Sequence, residues 1–193
     1  MNILATHVTI DWGALPIIIM TVIGVAIIWN CLIVYVKVKV KKHVLNFRFE
    51  EALKLALILQ KISPSSVIKD ENSLVIALLY LNKGDETNWI YYVSQISRPQ
   101  LLAAKNYWII IAAMIANDRK AVEQSLATFK NTVQFKSKRP WQYEYYEKNL
   151  KIVMDYFETP NEENSKKIDS LVEESNPLQA AILSKLKSNV IRA

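Results

Sequence analysis

The sequence has few of the residues on which most redox, metal and nucleotide sites depend. Its 193 residues include one cysteine, two histidines and three glycines. The single cysteine, Cys31, excludes an intramolecular disulfide and a cysteine-based zinc site. The glycines, Gly13, Gly24 and Gly84, are too dispersed to form a loop whose backbone approaches a phosphate. The composition therefore excludes P-loop and dinucleotide-binding proteins.

Charge is absent from one long stretch near the N-terminus. Residues 12–36, WGALPIIIMTVIGVAIIWNCLIVYV, contain no Asp, Glu, Lys or Arg. A helix of this length rises about 37 Å, which exceeds the hydrocarbon core of a bilayer at about 30 Å. A single segment spans lipid only as a helix, because a helix satisfies its own backbone hydrogen bonds. The sequence therefore predicts one transmembrane helix at residues 12–36. It lacks the basic start and the small-residue cleavage site of a signal peptide, so we expect it to be retained.

Basic residues follow this stretch and none precedes it. Residues 1–11 carry only Asp11 as a formal side-chain charge. Lysine and arginine concentrate on the cytoplasmic side of a membrane span. We therefore expect a single-pass protein of the cell membrane with its N-terminus outside and its C-terminal domain in the cytoplasm. The residues that carry this topology signal are Lys37, Lys39, Lys41, Lys42 and Arg48.

The net charge of +6 and the pI of about 9.3 leave two interpretations open. The first is the topology signal together with solvated helix faces. The second is an attraction to anionic lipid or nucleic acid. Asn30, a polar residue within the span, has two interpretations as well. It lies near the inner interface, or it hydrogen-bonds to another helix.

The remainder of the chain predicts helices joined by short turns. Apolar residues recur with a 3.6-residue period, and Pro64, Gly84 and Pro177 mark helix ends. The alternating segment Val36–Lys41 resembles a strand, but no second strand is present to pair with it, so we expect a helix that continues out of the membrane. The predicted fold is all-α. It has residues 1–11 outside, a basic juxtamembrane segment at 37–46, and a cytoplasmic helical domain at 47–193 that folds on its own.

Two corner sequences repeat within this domain. Gly84-Asp85 and Asn117-Asp118 lie 33 positions apart, close to the period of about 34 residues in tetratricopeptide repeats. Residues 49–53, FEEAL, followed by Pro64, resemble the second helix of that family, and residues 77–85, ALLYLNKGD, resemble its tyrosine and glycine-aspartate turn. The resemblance implies a solenoid of helical hairpins with a concave groove that binds a peptide or a partner helix. A generic helical bundle is the alternative.

The residues that usually carry catalysis are dispersed. A nucleophile needs a base held beside it. His7 and His43 fall on opposite sides of the predicted span, and Cys31 lies within it. The paired glutamates at 50–51, 162–163 and 173–174 are adjacent in sequence, so a helix points the two carboxylates of each pair apart. We therefore expect no enzyme, no metal site and no cofactor.

Aromatic residues are the candidates for partner contacts: Tyr107, Trp108, Tyr143 and Tyr146. Tyrosine and tryptophan are enriched at protein interfaces. A nucleic-acid surface formed by the aromatic residues 141–146 and the basic loop before them is the less favoured interpretation. We expect Trp141 and Tyr145 to lie on the core face of their helix. We expect one of Tyr107 and Trp108 to pack and the other to line the groove.

Two main hypotheses for the function follow. In the first, the cytoplasmic domain is an adaptor or scaffold that binds a protein partner at the inner face of a bacterial membrane. In the second, the chain is a small accessory subunit of a transporter, secretion or immunity assembly, which it contacts through Thr21, Gly24 and Asn30. A peripheral binder of nucleic acid or lipid headgroups is a third, weaker possibility.

Overall fold

The structure is a computed structural model that describes residues 15–132 and 140–190, with side chains from Tyr143 onward in the second range. The predictions for His7, Asp11, Gly13, the basic loop before Pro140 and the side chain of Trp141 lie outside these residues. Within the described ranges there are nine α-helices and no strand, so the all-α prediction is confirmed. The helices are α1 (Leu15–Leu45), α2 (Phe49–Ile62), α3 (Ser66–Lys83), α4 (Glu86–Ser94), α5 (Leu102–Ile115), α6 (Arg119–Asn131), α7 (Pro140–Glu158), α8 (Glu162–Glu174) and α9 (Pro177–Val190).

Three of the helix–helix corners share one backbone geometry. Each corner has one residue in the left-handed conformation shortly after the end of the first helix, with φ of 58° at Phe47, 82° at Gly84 and 55° at Asn117. The residue after it is the N-cap of the following helix. The side chains of Asp85 and Asp118 accept a hydrogen bond from a backbone N–H of the first turn. The repeated corner folds α1 onto α2, α3 onto α4 and α5 onto α6 as antiparallel hairpins.

The last helix closes over the first helices of these hairpins. α9 packs on α8 and also contacts α3, α5 and α1. It covers the side of the domain that α1, α3 and α5 form, which we call the inner face. Leu178, Ile182, Leu183 and Leu186 of α9 are all buried there. α9 thus covers the inner face of the hairpins. The predicted tetratricopeptide-like solenoid stays a prediction.

Buried polar groups hold the connections between hairpins. The carboxylate of Asp70 on α3 accepts hydrogen bonds from the backbone N–H groups of Ser97 and Arg98, at 3.2 and 2.9 Å, and from the Ser97 hydroxyl. These bonds fix the turn between α4 and α5. The amide of Asn72 donates to the carbonyl oxygen of Ala56 at 2.7 Å, which ties α3 to α2. Each bond removes the cost of leaving a buried polar group unsatisfied.

The C-terminal half of α1 belongs to the core of the helical domain. Ile33, Val36 and Val40 are buried, with exposed fractions of 3%, 7% and 6%, and Val44 packs beside them. The positions 33, 36, 40 and 44 follow a helical repeat, so these side chains form one stripe. α1 is continuous through Val36–Lys41, which confirms the predicted helix in this segment. The domain therefore begins within α1, before residue 47.

This arrangement makes a prediction about fragments of the chain. A fragment of residues 47–193 lacks Ile33, Val36 and Val40. Each fully buried aliphatic side chain contributes about 1.5–3 kcal/mol, and the total stability of a domain is about 5–15 kcal/mol. We expect fragment 33–193 to unfold in one cooperative thermal transition by circular dichroism, and fragment 47–193 to show none. Equal melting temperatures for the two fragments would contradict the assignment of α1 to the core.

Candidate membrane and partner interfaces

The N-terminal half of α1 is a candidate membrane interface. α1 is long and apolar enough to cross a bilayer by length and composition, and only 6% of its most apolar 18-residue window is buried. Its exposed side chains between Ile17 and Leu32 are mostly aliphatic and carry no charge. In water such a surface would be far larger than the apolar patches that soluble monomers expose. Lipid is the environment that matches this surface.

The polar residues within this segment bond to their own helix. The Asn30 amide donates to the carbonyl oxygen of Ala26 at 2.8 Å, and the Thr21 hydroxyl donates to that of Ile17 at 2.8 Å. These donors therefore need no partner outside α1. Gly24 has no atom within 4 Å of the position that a Cβ would occupy, so its side of α1 is open to a close approach. A contact between these residues and another membrane protein stays a prediction.

The four lysines after the apolar segment have different surroundings. Lys37 forms an ion pair with Glu71 of α3 at 3.1 Å. The ammonium of Lys39 lies over the ring of Tyr35, 5.4 Å from its centroid. Lys41 and Lys42 are exposed, and the described part of the chain offers them no ion-pair partner. Two positive charges thus remain available at this end of the helical domain.

The aromatic residues predicted to contact a partner lie in or beside the core. Tyr107 and Trp108 are each 2% exposed and Tyr143 is 5% exposed. Tyr146 is partly buried, with its ring centroid 5.2 Å from that of Tyr107. The expectation that one of Tyr107 and Trp108 lines an open groove is therefore corrected. Both are buried because α7 and α9 pack against α5.

The core face of α7 also differs from the expectation. Tyr145, which was expected in the core, is 47% exposed, whereas Tyr143 is buried. Tyr143 stacks on Phe129 of α6 with ring centroids 5.2 Å apart. Leu150 and Val153 continue the same buried stripe. The buried side of α7 thus depends on its contacts with neighbouring helices. Pro140 marks the start of α7 but does not indicate which side is buried.

Burial changes the acid–base behaviour of the tyrosines between α5 and α7. Desolvation raises the pKa of Tyr107 far above its ordinary value, with Tyr145 and Tyr146 nearby adding to the effect. Desolvation, with a smaller effect of Tyr145, raises the pKa of Tyr146 to about 12. Both hydroxyls stay protonated at neutral pH, so neither acts as a base. These rings stabilise the fold through packing.

A surface that sequence reasoning missed lies on α4. Ile90 and Tyr91 are 54% and 56% exposed. The Tyr91 ring meets that of Tyr92 edge-on at 5.0 Å, and Tyr92 stacks on Tyr80 of α3 at 5.7 Å. We call these four residues the α4 surface. Its signal was present in the sequence, because the inward residues Trp89 and Val93 are four apart and leave Ile90 and Tyr91 on the outer side.

Clustered metal ligands are absent from the residues that the structure describes, where no three His, Cys, Asp or Glu side chains group to hold an ion. Comparisons of the chain with protein-family models, curated proteins and solved structures find no match. The candidate interfaces therefore rest on the geometry and chemistry of α1 and of the α4 surface.

The raised pKa of Tyr146 predicts how stability depends on alkaline pH. A raised pKa means that folding favours the neutral phenol. The contribution of Tyr146 to the free energy of unfolding is complete below the pKa of about 10 that the group has in the unfolded chain. It is lost as the pH rises toward about 12, and the total loss is up to about 3 kcal/mol. We expect Tyr146→Phe to reduce the loss of unfolding free energy above pH 10, measured by denaturant titration. Below pH 9 the variant and the wild type should show the same pH dependence. An unchanged slope above pH 10 would contradict the burial of this ring.

Proposed function

We propose that the chain is a single-pass membrane protein whose helical domain lies at the cytoplasmic face and binds a protein partner there as an adaptor. The observation that supports this proposal most is the division of α1. Its N-terminal half exposes an aliphatic surface, and its C-terminal half contributes Ile33, Val36 and Val40 to the domain core. A single helix thus joins the membrane segment to the domain without a linker.

The orientation is supported by the positive charges at the domain end of α1. Lys37, Lys39, Lys41 and Lys42 lie within one and a half turns of one another on this helix. Basic residues within a few turns of a span stay on the cytoplasmic side. Anionic lipids of the cytoplasmic leaflet attract such residues further. With this orientation the helical domain faces the cytoplasm.

Binding at the α4 surface is the part of the proposal that names a contact. An exposed tyrosine beside an exposed isoleucine offers rigid apolar area together with a hydroxyl that hydrogen-bonds, a combination enriched at interfaces. The inner face is covered by α9, so Tyr107 and Trp108 would meet a partner only after α9 had moved. Tethering to the membrane confines the partner near the surface and so strengthens a weak contact.

The accessory-subunit hypothesis is the second candidate, and the open side of Gly24 favours it. Small residues let two membrane helices approach closely. In this case α1 itself is the contact surface. Replacing residues 15–32 by an unrelated apolar helix separates the two hypotheses. The adaptor keeps its partner after this exchange, and the accessory subunit loses its complex.

The orientation is tested by labelling in intact bacterial cells that express the protein. In a Cys31→Ser background, Ser170→Cys places a thiol at an exposed position on α8. We expect a membrane-impermeant maleimide to label this thiol only after the cells are permeabilised. A matched variant with Asn2→Cys should be labelled in intact cells. Labelling of Ser170→Cys from outside would show that the domain is extracytoplasmic.

The α4 surface is tested by purification of the full chain in mild detergent with identification of the proteins that accompany it. We expect the double variant Ile90→Ser, Tyr91→Ala to recover at least tenfold less partner than the wild type. Removal of an aromatic anchor at the centre of an interface weakens the binding free energy by about 2 kcal/mol or more. The matched control is Tyr145→Ala, since Tyr145 is a comparably exposed tyrosine on α7. Equal recovery with wild type and double variant would reject the α4 surface as the contact.

A further inference from the structure

An apolar groove lies immediately beyond the membrane segment of α1. It is bounded by α1, α3 and the start of α9 and has a volume of about 520 Å³. That volume falls within the range of about 300–1,000 Å³ for small-molecule sites. Besides the charged rim and the amides of Asn72, Asn176 and Gln179, its lining is aliphatic. The aliphatic lining includes Val44, Ile68, Leu74, Val75, Leu78 and Leu178. We call this cavity the membrane-proximal groove.

The α1 side of the groove carries positive charge. Lys37 and Lys41 line it one helical turn apart. The opposite rim carries Glu71, which pairs with Lys37 at 3.1 Å and with Arg98 at 3.4 Å. Two cations thus share this single carboxylate. Lys41 has no ion-pair partner among the described residues, and so the rim keeps an excess of positive charge.

The groove opens at the depth of the lipid headgroups when α1 spans the bilayer. The uncharged stretch ends at Val36, and Lys37 is the next residue. From Lys37 to Lys41 the helix rises about 6 Å. The headgroup layer of each leaflet is about 5–8 Å thick, the difference between the whole bilayer and its hydrocarbon core. With the end of the hydrocarbon core at Val36, both lysines lie where lipid phosphates lie, beside an apolar cavity.

The size of the groove favours a lipid over a protein as its occupant. Sixteen residues line it, whereas each side of a stable protein interface has about 20–30 residues. An acyl chain matches the aliphatic walls, and its transfer from the bilayer changes its environment little. The net negative charge of the headgroup then provides the selectivity, because basic pockets beside membrane helices bind anionic headgroups.

We propose that the membrane-proximal groove binds one acyl chain of an anionic phospholipid from the surrounding bilayer, with the lipid phosphate at Lys41 and Lys37. The proposal rests on the membrane span of the proposed function. It adds a specific lipid site on the helical domain, which a simple membrane anchor does not require. The anionic lipid then links α1, α3 and α9 at the membrane surface.

The test uses the full chain in phosphatidylcholine vesicles that contain a phosphatidylglycerol with a photoreactive diazirine in its acyl chain. Flotation first reports whether the protein is in the membrane. After illumination, mass spectrometry locates the labelled peptides. We expect label in residues 66–83 of α3. The acyl chains of bilayer lipids do not reach this helix unless an acyl chain enters the groove. Diazirine-labelled phosphatidylcholine should label α3 several-fold less.

Two variants and their matched controls test the site for the acyl chain and the site for the lipid headgroup separately. Lys41→Gln should lower α3 labelling by about fivefold, the effect of one basic residue near an anionic surface. Lys42→Gln removes the same charge outside the groove and should lower it less than twofold. Val75→Trp fills the groove and should abolish α3 labelling while α1 stays labelled. Val34→Trp, on the exposed side of α1, should leave α3 labelling unchanged.

Several results would overturn the proposal. If the protein floats with the vesicles but is labelled only in α1, no lipid enters the groove. The proposed membrane span is then still supported, and only the lipid site is rejected. Equal labelling by the two lipids, or an unchanged level in Lys41→Gln, rejects the selectivity for an anionic headgroup. Unlabelled α3 together with a dimer mass in detergent assigns the groove to a second copy of the chain. Protein that fails to float rejects the span and the lipid site together.

Discussion

The unbroken backbone of α1 is the constraint on which the rest of the structure depends. Its 31 residues extend from the exposed aliphatic segment into the domain core. Sharp kinks arise at prolines, π-bulges or inserted polar groups, and after Gly24 the sequence of α1 contains no proline or glycine. The helical domain is therefore joined to the exposed aliphatic segment by a continuous helix instead of a flexible linker. The direction of that segment relative to the domain follows from the packing of Ile33, Val36 and Val40.

The same helix shows how much of the fold was readable from the sequence. The alternation of valine and lysine in residues 36–41 fits a strand or a helix. On a helix, Val36, Val40 and Val44 share one face, while Val38 lies on the other side and is 59% exposed. The absence of a pairing strand decides in favour of the helix. The Gly84 and Asn117 corners were readable too, because glycine and asparagine favour the left-handed conformation. The matching corner at Phe47 was not, since a bulky residue such as phenylalanine rarely adopts the left-handed conformation.

The position of α9 was beyond sequence reasoning, and it changed the interpretation of the site. The period of its apolar residues indicates a helix with a buried face but does not say which helices that face meets. The answer depends on contacts between residues distant in sequence, such as the Asn189 amide donating to the Ile115 carbonyl at 3.1 Å. Once α9 lies on α5, Tyr107 and Trp108 become core residues. The choice between an open groove and a closed core is thus a tertiary property.

The closure by α9 also determines where binding can occur. α9 is tied to neighbouring helices by the Lys185 ammonium donating to the Asn82 carbonyl and by the Lys187–Asp169 ion pair at 2.6 Å. Its four buried aliphatic side chains, at about 1.5–3 kcal/mol each, represent about 6–12 kcal/mol of apolar burial. A micromolar ligand binds with about 8 kcal/mol. A peptide of ordinary affinity therefore gains little by displacing α9 from the inner face. Of the proposed contact surfaces, the α4 surface and the membrane-proximal groove need no such exchange. In the proposed membrane-spanning arrangement, the continuous helix α1 places that groove at the height of the lipid phosphates.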